Sequence, residues 1–180
     1  MQLTAQQTIA LDRCAFDWRA KLSPLGIISV VDRLGEAGGE LHVKALGFLP
    51  IINMANSADL TRGEAMRFLA ELPWAPDAIV SNQDLRWTDT DEGGLIVSWG
   101  DIAVTLRFNA AGLVDQAFAA DRPRAVKSGF VPTPWRGVFS DFRMISGRIL
   151  HTKASASWII GGAEDIYGEF QLTNWRLEDC

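Results

Sequence analysis

From Phe16 the chain alternates apolar and polar residues with a period of two. In "FDWRAKL" Phe16, Trp18, Ala20 and Leu22 fall on one face, and Asp17, Arg19 and Lys21 on the other. This is the pattern of a half-buried strand. The turn signal "SPLG" follows, then the strand pattern "IISVVDRL", a break at "GEAGG", and a third strand pattern, "ELHVKALGFLPI". Connections this short predict an antiparallel meander. Asp32, after the apolar run "IISVV", reads as the start of a turn rather than the end of a buried strand.

The period changes in "LTRGEAMRFLAELPWAP". Thr61 and Glu64 have the spacing of a capping box, in which each side chain satisfies a backbone N–H at the helix start. Pro73 disfavours helical geometry at Leu72 and predicts the end of the helix there. Between them Ala65, Phe68, Leu69 and Leu72 form an apolar arc, with Met66 at its edge. "PWAPDAIVSNQ" reads as a loop, and alternation then returns, divided at "DEGG", near "WGD" and at "NAAG". Its clearest piece is "DIAVTLRF", where Ile102, Val104, Leu106 and Phe108 share a face. "DRPRAVKSGFVPTPWRG" reads as an irregular connection, and "VFSDFRMI", "RILHTKASASWII" and "DIYGEFQLTNWRL" as three more strands.

About nine strands and one helix of about three turns predict an α+β fold. A flat sheet of that size leaves an apolar face that one helix cannot cover, so the expected architecture is a strongly curved antiparallel sheet, a half-barrel, wrapped around a central helix. The 180 residues suit a single domain over 1–180.

Composition narrows the function by exclusion. The net charge is −5, with Lys and Arg scattered, which is not the basic stripe of a nucleic-acid-binding protein. His42, His151, Cys14 and Cys180 show no ligand spacing, so no metal is expected. The spacing of the two cysteines leaves a disulfide between them undetermined, and free thiols in a reducing compartment are the expectation. No H-E-x-x-H, Gly-x-Ser-x-Gly or phosphate-loop pattern occurs, and no cofactor is implied. The start lacks a secretory signal, and no apolar run approaches the ~20 residues of a membrane helix. The expected location is cytoplasmic as the chain stands, or membrane-associated if a further segment precedes it.

The motifs "AFDWRAKL", "LTRGEAMRFLAELPWAPDAI", "TPWRGVFSDFR" and "ASASW" resemble, in order and spacing, a widespread bacterial family of uncharacterised proteins. The layout is similar to the half-barrel of bacterial outer-membrane lipoprotein carriers, which hold acyl chains between a curved sheet and helices. The resemblance implies no activity. It favours a buried setting for Arg67 and Glu71, which fall in its helix motif.

Glu64, Arg67 and Glu71 lie at i, i+3 and i+7 on one helix face. Either the face is solvated or the sheet covers it, and a covered carboxylate must find a donor. The expected division leaves Glu64 in solvent at the cap and turns Glu71 toward the sheet, with Arg67 as its nearest partner. Arg122, Arg124 and Arg143 are candidate sheet partners, and Asp32 remains a turn residue. Among the seven tryptophans, Trp18 and Trp158 sit at apolar strand positions, and Trp74 is placed to plug one end of the barrel. Three readings stay open. One is a binding module whose cavity holds a lipid-like or other amphiphilic small molecule, with Arg67, Glu71, Trp74, Arg124, Arg143 and Trp158 as ligand-binding residues. The others are a hydrolase- or lyase-like enzyme using Glu71 as acid or base, and a structural domain without a ligand. Catalytic residues are not identified by any spacing.

Overall fold

The computed structural model describes residues 3–22, 27–46 and 48–178. The "SPLG" turn and Cys180, with any Cys14–Cys180 pairing, lie outside them. The described residues form twelve strands in two antiparallel sheets. The first sheet holds β1 (Leu3–Ile9), β2 (Phe16–Leu22), β3 (Ile28–Gly35), β4 (Gly38–Ala45) and β5 (Leu49–Ala55). Two helices follow, α1 (Ala58–Glu71) and α2 (Pro76–Ser81), joined by a 3-10 turn at Leu72–Trp74. The second sheet holds β6 (Arg86–Asp89), β7 (Leu95–Trp99), β8 (Ile102–Phe108), β9 (Val114–Val126), β10 (Gly129–Ile145), β11 (Arg148–Ile160) and β12 (Ala163–Gln171). In both sheets the order in space repeats the order in the chain.

The α+β class therefore holds, but two open sheets replace the expected single curved one. The apolar surface is covered differently. α1 packs against β3 and β4 of the first sheet and against β7, β8 and β9 of the second. Covered from two sides, it buries Leu60, Gly63, Glu64, Ala65, Met66, Phe68, Leu69 and Ala70, far more than one arc. The core joins Phe68, Leu69 and Leu72 to Phe16 and Leu34 of the first sheet and to Val97, Val104, Leu106 and Ala117 of the second. Cys14 lies in this core, where burial first of all pushes its thiol up to about 11.

Four local expectations change. The N-cap of α1 is Ser57, whose Oγ accepts from the Leu60 N–H at 3.2 Å. Thr61 lies inside the helix, and its Oγ1 accepts from the Gly39 N–H of β4 at 2.9 Å. The supposed loop after Pro73 contains α2, which starts on Pro76, a residue suited to the first helical turn because its missing N–H has no partner there anyway. The proline-rich "connection" is strand: Pro123 of β9 lies opposite Pro132 of β10, and a register shift between Thr133 and Trp135 absorbs Pro134. Prolines are tolerated in sheets at such irregularities. Finally, Asp32 is not in a turn but within β3, buried and opposite Trp18 of β2.

The seam between β4 and α1 is tight enough to test. A Cβ on Gly39 would stand 3.0 Å from Thr61 Cα and 3.1 Å from Leu60 C, both backbone atoms, whereas one on Gly35 would meet nothing within 4 Å. Gly39→Ala is expected to destabilise by roughly 1–3 kcal/mol through overpacking, and Gly35→Ala to stay within about 0.5 kcal/mol. Urea denaturation midpoints of the two variants check this, and equal midpoints would show that the seam yields.

Candidate functional site

Register sets the site. Gln7 of β1 lies opposite Trp18 of β2, and Trp18 opposite Asp32 of β3. Directly paired residues share a face of the sheet, so one row presents an amide, an indole and a carboxylate to α1. The helix supplies Arg67 and, one turn on, Glu71. Arg67 Nη1 donates to Asp32 Oδ2 at 2.5 Å, Nε to Glu71 Oε1 at 2.9 Å, and Nη2 to Gln7 Oε1 at 3.4 Å. The Gln7 amide nitrogen donates to the other Glu71 oxygen. The guanidinium also lies 4.8 Å from the Phe16 ring centroid and 5.2 Å from that of Trp18, within cation–π range. Side-chain exposures of 16%, 12% and 15% for Arg67, Asp32 and Glu71 make this a desolvated cluster rather than a surface ion pair. Burial alone would lower the pKa of Arg67, but Glu71, Asp32 and Glu64 together hold it above its ordinary value.

Glu64 reverses the expected division of the helix face. It is buried, not solvated, and sits within hydrogen-bonding reach of Asp32. Burial, followed by the charge of Asp32, pushes the Glu64 carboxyl up to about 8. Burial likewise raises Asp32, while Arg67 opposes that shift. The two carboxyls therefore hold one proton between them. With the guanidinium bonded to Asp32, the proton belongs on Glu64; the Asp32 oxygen that Arg67 leaves free, Oδ1, and Glu64 Oε2 are both buried without another partner.

The cluster forms part of the floor of an open cleft of about 1600 Å³ reached from both sheets. Its walls carry Phe16, Trp18, Trp74, Trp135, Phe139 and Tyr167, and the segment after β12 adds Trp175. Of the residues singled out in the sequence, Arg67, Glu71 and Trp74 line this cleft, whereas Arg124, Arg143 and Trp158 do not. Arg124 donates to Thr133 Oγ1 at 3.2 Å, and Arg143 is exposed and paired with Asp141 at 2.9 Å. Trp158 stacks on Tyr167 with ring centroids 5.6 Å apart. Rather than plugging a barrel, Trp74 anchors the cleft's end: its Nε1 donates to the His151 carbonyl at 3.0 Å, and its own carbonyl accepts from Trp175 Nε1 at 2.8 Å.

One cleft residue and one buried neighbour of the cleft wall stand outside the sequence-based expectation. Arg122, weighed in the sequence only as a partner for a buried carboxylate, lies 4.9 Å from the Trp135 ring and 5.7 Å from the Trp158 ring. Its Nη1 is 3.5 Å from the Tyr167 hydroxyl, which accepts from Trp135 Nε1 at 2.8 Å. It makes no ion pair with a carboxylate among the described residues, although its charge is felt at Glu64. The second is His151, 1% exposed, packed 4.5 Å from the Trp74 ring and 4.3 Å from Phe139. Burial pushes this imidazole down to about 3, so it is neutral. Among the described residues no group of His, Cys, Asp and Glu is placed to hold a metal ion, and no helix is long and apolar enough to cross a membrane.

A family model described as a family of unknown function, DUF6544, matches residues 1–170. No curated protein and no solved structure matches the chain.

The two buried titrations predict opposed pH limbs. Unfolded, Glu64 releases its proton near 4.5; folded, it does so only near 8. Between these values the unfolded state alone has lost the proton, so stability falls as pH rises. His151 has an ordinary value of 6.5 and a folded value of about 3. Between these the unfolded state alone takes up a proton, so stability falls as pH drops. The two effects overlap and oppose each other between 4.5 and 6.5, and above 6.5 the His151 effect fades and the Glu64 limb dominates. From pH 6.5 to 8 the wild-type protein is expected to lose roughly 1 kcal/mol, because the limb of about 1.4 kcal/mol per pH unit levels off as Glu64 ionises, and Glu64→Gln none of it. Chemical denaturation at the two pH values measures both, and parallel losses in the two proteins would contradict the protonated Glu64.

Proposed function

The chain belongs to the DUF6544 family, and we propose that its cleft binds an amphiphilic small molecule with an anionic head group. The observation that carries this reading is Arg122, a cation on the cleft wall that is held by aromatic rings and makes no carboxylate pair among the described residues. A guanidinium fixed by stacking keeps its planar fork of donors for a carboxylate or phosphate. The aromatic walls offer apolar contact, and the cleft's volume of about 1600 Å³ exceeds the ~300–1,000 Å³ of a usual small-molecule pocket, with room for an extended acyl chain. Arg67 is a poorer reader of a head group, because its Nε, Nη1 and Nη2 already donate to protein acceptors.

The same saturation weighs against an enzyme acting through Glu71. One of its oxygens accepts from Arg67 and the other from Gln7, so neither Glu71 oxygen is without a donor. Glu64, the carboxyl that keeps its proton, does not line the cleft. Binding therefore accounts for more of the geometry than acid–base chemistry does.

The test uses dodecanoate and its uncharged counterpart dodecanol, followed by quenching of the cleft tryptophans and by native mass spectrometry. Wild-type protein is expected to bind dodecanoate, with Arg122→Gln weakening it about tenfold or more, in line with the loss of a charge-assisted bond. Dodecanol binding should be unchanged by the substitution. Absence of binding, or equal affinity of both proteins for dodecanoate, would overturn the reading.

A further inference from the structure

The end of the first sheet opposite the β3–β4 turn carries an apolar tip that the core does not use. There Phe48 is 75% exposed, Leu46 60%, Ile51 56% and Leu49 53%. Ile27, also exposed, is tied to the same end, because its carbonyl accepts from the Leu46 N–H at 2.6 Å. These are large side chains grouped at one edge, not single apolar residues scattered over a surface, and such a group marks an interaction site. Leu46 adds a second sign. Its φ is 53°, a left-handed conformation that is uncommon for a large side chain and costs free energy. The chain adopts it while leaving that side chain in water.

Charge identifies the occupant. One position in from the tip, Lys21 of β2 lies opposite Ser29 of β3, and Ser29 opposite Lys44 of β4. The two exposed lysines thus share a face, two strand spacings or roughly 10 Å apart. No Asp or Glu occurs in residues 18–31 or 41–58, so this end is cationic in a chain whose net charge is −5. An apolar tip backed by two exposed lysines fits an anionic lipid bilayer. The tip enters the interface, and the ammonium groups stay at the level of the phosphates. Pairing of β5 with a strand of a second copy fits less well, because Pro50 removes an N–H from that edge strand.

We propose that the β4–β5 tip, with Ile27, Leu46, Phe48, Leu49 and Ile51 flanked by Lys21 and Lys44, docks the protein on an anionic membrane surface. The docking stands whether or not the cleft holds a ligand.

Flotation of the full chain with vesicles tests it, using phosphatidylcholine alone and phosphatidylcholine mixed with phosphatidylglycerol. Two lysines should favour the anionic vesicles by about tenfold to thirtyfold at low salt, and added salt should erode the preference. Phe48→Asp should lower binding by about tenfold or more, and Lys21→Glu with Lys44→Glu should remove the preference for anionic lipid. Leu46→Asn guards against misfolding as the cause, because asparagine is at ease at positive φ. That variant should fold at least as stably as wild type and still bind vesicles less. Failure to float with either vesicle, or flotation unchanged in all these variants, would overturn the proposal. So would a dimer in light scattering that Phe48→Asp dissociates, since a second copy would then cover the tip.

Discussion

A desolvated guanidinium organises this protein. Taking Arg67 out of water costs several kcal/mol unless its donors and its charge are answered nearby, and every group that answers it lies on a different part of the fold. Asp32 comes from β3, Gln7 from β1 and Glu71 from the next turn of α1, while Phe16 and Trp18 of β2 stack beneath. The cluster therefore fixes the first sheet against the helix in one register, because a slip of one residue in β3 would turn Asp32 to the other face. The helix, packed on its other side by β7, β8 and β9, carries that constraint to the second sheet. The position of the cleft follows from where this buried charge had to be placed.

The legible part of the fold was the part with one wet face. β2 and β8 alternate cleanly, as "FDWRAKL" and "IAVTLRF" do, and the outer boundaries of β6, β7 and β8 follow from glycine-bearing turns. β1, "LTAQQTI", escaped notice because it is an edge strand, largely exposed, whose important residue is a glutamine. β5 was merged with β4 because "ALGFLPI" is apolar throughout and offers no change of period. The strands around Pro123, Pro132 and Pro134 looked irregular because propensity describes single residues, whereas a register shift lets a strand pair carry them.

On the site, spacing alone brought Arg67, Glu71 and Trp74 forward, and the family resemblance favoured burial for the first two. It could not say which end of the helix face was covered, since that depends on how two sheets meet across α1. For the same reason local spacing points Glu64 to a cap that Ser57 in fact provides, and Asp32 to a turn. His151 carries no local signal, and Arg122 none that sets it apart from Arg124 and Arg143: what distinguishes them is the company of Trp74 and Phe139, or of Trp135 and Tyr167, contributed from distant parts of the chain.

The strand order has a consequence for how the chain reaches this state. Every hydrogen-bonded strand pair joins neighbours in sequence, so each sheet can form through short loop closures with small entropic cost. The contacts that unite the molecule are of another kind. Arg67 and Asp32 are separated by 35 residues, Gln7 and Glu71 by 64, and Trp74 and His151 by 77. Folding is therefore expected to assemble the two meanders first and to bring them together on α1 afterwards. The step that desolvates Arg67 would then set the rate, and a chain arrested before it would keep its strands while exposing the aromatic floor to self-association.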